Sequence, residues 1–364
     1  MKKARYLPFA ALFLLALTLF PLALLLMPRA DFSVPERRYL ARPPAFSFES
    51  GVWGRAVEDF VNDHLPLRNA ALRLDAERRR LAGLNIMDSV WRLPGYGLAE
   101  APVELRGSLL MRNLDRLRAF SRDSGLPVYL LVPPSAGSLA GRTAYYDYPD
   151  RQAEADFSNL APEVTVIPLW DAFASSGSRL HYATDPHWNA QGAYLAYLGA
   201  APFLGYAPRP ESAFNIRESK GFLGTLYARS ALWETAPDDL SLWDAREPLR
   251  LTLDREPQAY TSLFFEKHLE GADQYPVFLD GNHGLVRIVN EGMAEGRHLL
   301  VLKDSFANSL LPLLVPHYKS ITAVDLRAFR TSGGGLADLG PFDQVLAVYS
   351  LGILSTDTNF PWLR

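Results

Sequence analysis

Arg297-His298-Leu299-Leu300-Val301-Leu302-Lys303-Asp304-Ser305-Phe306-Ala307-Asn308-Ser309-Leu310 carries the pattern that decides the fold. The apolar run Leu299 to Leu302 is short and bounded, as a buried strand is. It stops at Lys303-Asp304-Ser305, and Phe306 to Leu314 then suits a helix. A serine at a strand-to-helix turn is lifted clear of the sheet, and a helix N-terminus favours negative charge developing beside it. Taken alone, the turn is also explained by Asp304 or Ser305 capping the helix.

A second stretch, Thr184-Asp185-Pro186-His187-Trp188-Asn189, sets an acid and an imidazole two residues apart. Serine catalysis needs a base to take the hydroxyl proton and an acid to hold that base in the right tautomer. Ser305, His187 and Asp185 supply the three roles. Pro186 biases Asp185 toward extended backbone, so that Asp185 and His187 project to one side. Asn189 is placed to cap a helix over 190–201.

Around these stretches, strands and helices alternate. A helical pattern over Leu109–Phe120 is followed by the apolar run 127–134, a helix over 152–160 and a strand over 164–169. Ser320–Arg327 and Gln344–Tyr349 supply later strands. This alternation predicts an α/β domain with a central, mostly parallel sheet. Residues 202–247 are less regular, and 249–265 alternate as a small antiparallel excursion would. Tyr275–His283 is a short run ending in a polar turn.

Upstream, apolar residues recur at helical steps from Trp53 to Leu84, with a break at His64-Leu65-Pro66. Asp63 and His64 at that break read as capping and surface groups. Glu77-Arg78-Arg79-Arg80 reads as a solvated helix face. Residues 31–52 read as an irregular, proline-rich stalk.

The N-terminus opens with Lys2, Lys3 and Arg5, and Tyr6 to Met27 then runs without a charge. That length suits a membrane span of roughly 20 residues better than a signal-peptide core, with a cleaved signal peptide as the alternative. The basic flank favours a cytoplasmic N-terminus. The expectation is a single-pass protein of the cell membrane with its catalytic domain on the extracellular side. Three segments result: 1–30, the anchor; 31–107, stalk and helices; 108–364, the α/β domain with an irregular insertion around 202–275.

With 48% hydrophobic and 21% charged residues, the chain of 364 residues is an ordinary globular one. A formal net charge of −3 leaves no basic excess to neutralise phosphates, which argues against a nucleic-acid partner. The absence of cysteine excludes disulfides, thiolate zinc sites and a cysteine nucleophile. Asp185 and His187 without a third ligand are weak evidence for a metal, and no cofactor is expected.

Asp185-Pro186-His187-Trp188 with Gly192-Ala193-Tyr194, Leu302 to Ser309 and Val324-Asp325-Leu326-Arg327 together resemble the DHHW-type proteins. These are relatives of alginate and cell-envelope polysaccharide O-acetyltransferases with an SGNH-hydrolase-like fold. Val132-Pro133-Pro134, Phe222-Leu223-Gly224-Thr225-Leu226-Tyr227 and Gly281-Asn282-His283 look like further family segments. Pro186 stands where the family name has a second histidine; the Asp-x-His frame is kept.

The resemblance implies Ser305 as nucleophile, His187 as general base and Asp185 as its orienting acid. It implies a polysaccharide acceptor and acetyl delivered by a polytopic membrane O-acyltransferase. The backbone N–H of Ser305 is one oxyanion donor, with Asn282 and Ser350 as candidates for a second. Arg327 either positions substrate or pairs with Asp325. Trp188 either packs behind the His187 loop or stacks on a sugar. His181 reads as a packing or surface residue that could line the site, and His283 stays open. His268, His298 and His317 read as structural. Three functions follow: a polysaccharide O-acetyltransferase, an SGNH-type carbohydrate esterase using the same three residues with water, and a non-catalytic polysaccharide-binding or scaffold protein.

Overall fold

The computed structural model describes residues 7–26, 28–49, 51–105, 107–140, 147–160, 163–254, 256–329 and 335–363. It divides into two units, Met1–Met87 with Ala228–Trp233, and Asp88–Tyr227 with Glu234–Arg364.

In the first unit the apolar N-terminal run forms a helix, Leu7–Leu26. Among the described residues, however, no helix is long and apolar enough to cross a membrane. This overturns the expected single-pass anchor and the membrane location drawn from it. An uncharged run of letters marks a candidate span, but the helix it forms must also meet the length and hydropathy of the bilayer core.

The stalk is less irregular than its prolines suggest, since Phe32–Ser33 pairs antiparallel with Arg38–Tyr39. Two helices follow, Val52–Asp63 and Arg68–Leu81, and Leu67 between them sits at φ 60. Asp63 is consumed at this break. It accepts the Arg38 guanidinium and the Ala41 N–H, while His64 Nε2 donates to the Ala41 carbonyl at 2.9 Å. Chiefly through Arg38, the Asp63 carboxyl is held down to about 2.

The second unit is built on an eight-stranded sheet. Its strands, numbered along the chain, are β1 (Val128–Leu131), β2 (Val164–Val166), β3 (Leu249–Leu253), β4 (Ala259–Tyr260), β5 (Leu285–Asn290), β6 (His298–Lys303), β7 (Ser320–Val324) and β8 (Gln344–Val348). Their order across the sheet is β4-β3-β5-β7-β6-β8-β1-β2. From β7 to β2 all neighbours are parallel, and β5, β3 and β4 extend one edge antiparallel. The expected mixed α/β unit with a mostly parallel centre is therefore present.

Strand β6 lies in the middle, and Leu299, Leu300, Val301 and Leu302 are fully buried. Side chains alternate across a strand. Leu299 and Val301 accordingly join a core with residues of the helices Ala190–Leu204 and Ala307–Leu314. Leu300 and Leu302 join a separate core against the helix Ser108–Ser124. Each such leucine contributes about 1.5–3 kcal/mol by leaving water, so the strand is apolar because both of its faces are covered.

Two departures from the sequence reading concern strands. Leu285–Asn290 pairs with both β3 and β7. Within the supposedly irregular insertion, Asn215–Phe222 pairs antiparallel with Asp238–Asp244. The first of these two strands is mostly partly or fully exposed, so its letters NIRESKGF look like a loop.

Candidate active site

The carboxyl ends of parallel strands are where open α/β sheets place their ligands. At the end of β6, Asp304 is fully buried and is used for building. Its backbone N–H donates to the Val348 carbonyl at 3.0 Å. Its carboxylate accepts the Phe306 N–H at 2.9 Å and the Ser350 N–H at 2.7 Å. One side chain thus closes the turn before the helix Ala307–Leu314 and ties it to the end of β8. Ser305, half-buried, is left at the apex. Of the two residues that could have capped, Asp304 takes the structural part and Ser305 is free to face another loop.

That loop is the Asp185 hairpin. His181 and Trp188 form an isolated antiparallel bridge, with Tyr182 donating to the His187 carbonyl at 3.2 Å. Beneath it, Asp238 accepts the Ala183 and Thr184 N–H groups at 2.7 and 2.9 Å and the Thr184 hydroxyl at 2.6 Å. Asn189 caps the helix Ala190–Leu204 by accepting the Gly192 N–H at 3.0 Å, as its place in the sequence predicts. The hairpin is therefore fixed from both sides before it presents anything.

Between the two loops runs a continuous hydrogen-bond chain. Ser305 Oγ donates to His187 Nε2 at 2.7 Å. His187 Nδ1 donates to Asp185 Oδ1 at 2.5 Å. Asp185 is fully buried, and its other oxygen accepts the Thr225 N–H at 2.9 Å and the Thr225 hydroxyl at 3.1 Å. Burial pushes the Asp185 carboxyl up, but the adjacent imidazole and the N–H donors of Thr225 and His187 pull it further down, below its ordinary value. Gly224 makes the approach possible: a Cβ there would lie 2.2 Å from the Asp185 Cβ.

The imidazole is held in plane as well. Tyr275 stacks on it with ring centroids 4.1 Å apart and planes 14° from parallel, and Phe306 covers it at 4.7 Å. The Tyr275 hydroxyl donates to the Ser305 carbonyl at 3.2 Å. A serine with its proton directed at a neutral imidazole nitrogen, and that imidazole anchored by a buried carboxylate, is the arrangement that generates an alkoxide-like nucleophile.

The remaining candidates divide. Asn282 is exposed, and its Oδ1 accepts the Asn308 amide at 3.2 Å, so it lies one side chain from the helix that Ser305 precedes. The Ser350 N–H is already committed to Asp304, and its hydroxyl caps the helix Leu351–Thr356. Arg327 forks onto Asp325 at 2.9 and 2.6 Å, so the ion-pair role is the one it has here. Trp188 is fully buried and donates to Ser309 at 2.8 Å; no ring face is open for a sugar. His181 is fully buried and donates to the Pro134 carbonyl at 2.8 Å, with burial bringing its pKa down to about 4. His268, His283, His298 and His317 each bond a neighbouring side chain.

Tyr275, Thr225 and Gly224 have no role in the sequence reading, whereas Asp304 takes the capping part that reading allows it. Gly224-Thr225 stands within a recognised segment, and that was the available signal. Pro186 and Phe306 also line a small pocket of about 50 Å³, with Glu100, Tyr148, Asp150 and Leu351 in its wall.

Fold and site together define an α/β protein with a serine–histidine–aspartate chain at the carboxyl end of a parallel strand. The family whose description is DHHW protein matches residues 157–324, a stretch containing Asp185, His187 and Ser305, and the resemblance read from the motifs is to that family. No curated protein matches by sequence. Among solved structures, a DHHW family protein from Eubacterium siraeum is similar at TM-score 0.63 and 20% identity, over 75% of this chain and 93% of that one. Bacillus cereus PatB1, solved with a sulfonyl adduct, is similar at TM-score 0.60 and 19% identity, over 74% and 97%. At these identities the likeness is one of fold.

Proposed function

We propose that this protein is a polysaccharide O-acetyltransferase of the SGNH-like kind, with Ser305 as nucleophile, His187 as general base and Asp185 as the acid that orients it. The observation that carries this reading is the unbroken chain from Ser305 Oγ through His187 to Asp185, with links of 2.7 and 2.5 Å. The DHHW resemblance supplies the acyl group and the acceptor class.

In the first half-reaction His187 Nε2 takes the Ser305 proton as Oγ bonds to the acetyl carbon, and the donor's alcohol or thiol leaves with that proton. In the second, Nε2 takes the proton of a sugar hydroxyl as its oxygen bonds to the acetyl carbon, and returns that proton to Ser305 Oγ as the acetyl–serine bond breaks. The Ser305 N–H and the Asn282 amide stabilise the oxyanion in both. A polytopic membrane O-acyltransferase is the proposed source of acetyl.

The test is reaction of the full chain with a serine-directed fluorophosphonate and, because PatB1 carries a sulfonyl adduct, with a sulfonyl fluoride. Both reagents are expected to label wild type and to leave Ser305→Ala unlabelled. Equal labelling of the two proteins sinks the proposal. With a model acetyl ester, transfer to an oligosaccharide is expected to exceed hydrolysis, whereas hydrolysis alone makes the protein an esterase.

A further inference from the structure

Directly under the serine turn lies a cation that the reaction above does not use. Lys303 is fully buried, and its ammonium donates to Asn308 Oδ1 at 2.8 Å. Asn308 is 1% exposed, and its Nδ2 donates to Asn282 Oδ1 at 3.2 Å. We infer that Lys303 and Asn308 form a positioning relay that fixes the Asn282 amide with its NH2 group turned outward, as an oxyanion donor. This rests on the acyl-transfer reading of Ser305.

The chemistry of the three groups dictates the polarity. An ammonium has three donors and no acceptor, so it can meet only the oxygen of the Asn308 amide. With that oxygen committed, the Asn308 NH2 faces Asn282. Asn282 must then offer its own oxygen, which leaves its NH2 unspent at the exposed end of the relay. An amide is nearly symmetric in shape, and without the cation its two orientations compete. Burial brings the ammonium down to about 8, with Asp325 and Asp304 opposing this and Arg327 adding to it, so the cation persists at neutral pH.

The backbone serves the same end. Leu279, Asp280 and Gly281 lie at φ 63, 60 and 106, three left-handed residues in succession immediately before Asn282. Leu279 holds that conformation although it is a branched, fully buried residue. Strain of this kind persists only where the surroundings over-determine it. Asn308 also donates its N–H to the Ser305 carbonyl at 3.2 Å, so the relay and the serine turn share a residue.

Asn308→Asp is the discriminating variant. Aspartate keeps an oxygen for Lys303 but has no NH2, so Asn282 must rotate and spend its own NH2 on the new carboxylate. In the side-chain amide NMR spectrum the Asn282 NH2 resonances are expected to move; unchanged resonances overturn the relay even if wild type proves inactive. In turnover of a model acetyl ester, kcat is expected to fall about 100-fold with KM within about twofold, the loss typical of one oxyanion donor. Asn282→Ala is expected to cost the same, and the double variant no more than either. Unchanged kcat in a rotated Asn308→Asp protein overturns the catalytic role. Absence of turnover in wild type removes the acyl-transfer reading and the oxyanion role with it, while the resonances still decide the orientation. If Asn308→Asp does not fold, Lys303→Met, which frees Asn308 to rotate, is expected to split or shift the same resonances. A single unshifted pair overturns the relay.

Discussion

Asp63–His64 and Asp185–His187 are two acid–imidazole pairs from one chain, and they differ in what each atom has left to do. In the first, the carboxylate is filled by Arg38 and the Ala41 N–H, and the imidazole turns to the Ala41 carbonyl rather than to the acid. In the second, the carboxylate fixes the imidazole, and the far nitrogen meets a hydroxyl. Proximity in sequence does not separate these cases. A competing guanidinium does: Arg38 captures Asp63, whereas among the described residues neutral donors alone, Thr225 and backbone amides, share Asp185 with His187.

The sharpest break of this comparison is a matched pair of amide substitutions. Asp185→Asn is expected to lower kcat for acyl transfer by about 10⁴-fold, because the imidazole loses its tautomer lock. Asp63→Asn is expected to leave kcat unchanged and to lower stability by about 1 kcal/mol, since Arg38 is partly solvated. Equal losses of kcat from the two variants would erase the distinction. Esterase assays and urea unfolding read the two quantities.

A second contrast concerns His181, which stands in the first arm of the Asp185 hairpin and whose buried ring cannot easily take a proton. Burial brings its folded pKa down to about 4, below the ordinary histidine value of about 6.5. Above pH 6.5 both folded and unfolded chains keep it neutral. Between 6.5 and about 4 the unfolded chain binds a proton that the folded one refuses, so stability falls as pH falls. The loss attributable to this group is on the order of 3 kcal/mol by the lower end of that range. His181→Gln is expected to flatten the urea midpoint between pH 7 and 5; an unaltered slope would show that the ring does not govern it.

The smallest expected effect sharpens how Asp185 is approached. Gly224→Ala sets a Cβ against the Asp185 side chain and the Thr184 carbonyl, at 2.2 and 2.6 Å from their nearest atoms. Relief requires the loops to part, at about 1–3 kcal/mol. Thermal unfolding checks the cost, and a structure of the variant checks whether the Thr225 bonds lengthen.

The parts legible in sequence were those in which one local pattern maps onto one physical role. Leu299–Leu302 followed by a polar turn announced a buried strand meeting a helix, and Asn189 announced a cap. The meeting of Asp185, His187 and Ser305 was legible only as chemistry, since three roles needed three residues. Strand Leu285–Asn290 was missed because Arg287 and Asn290 interrupt its apolar run. Strand Asn215–Phe222 was missed because its solvent-facing letters resemble a loop. The charge-free N-terminal run overstated the anchor. Lys303 was the least readable, because a lysine in sequence reads as surface until a sheet and a helix close over it.

Tyr275 has one more consequence. Its ring lies flat against the imidazole while its hydroxyl grips the chain at the serine, so one residue spans both loops. An imidazole sandwiched in this way is held against turning about its Cβ–Cγ bond, a turn that would put ring carbons where Nδ1 and Nε2 now stand. Hydrogen traffic is then confined to the edge facing the serine, and the opposite edge stays a permanent hinge pin.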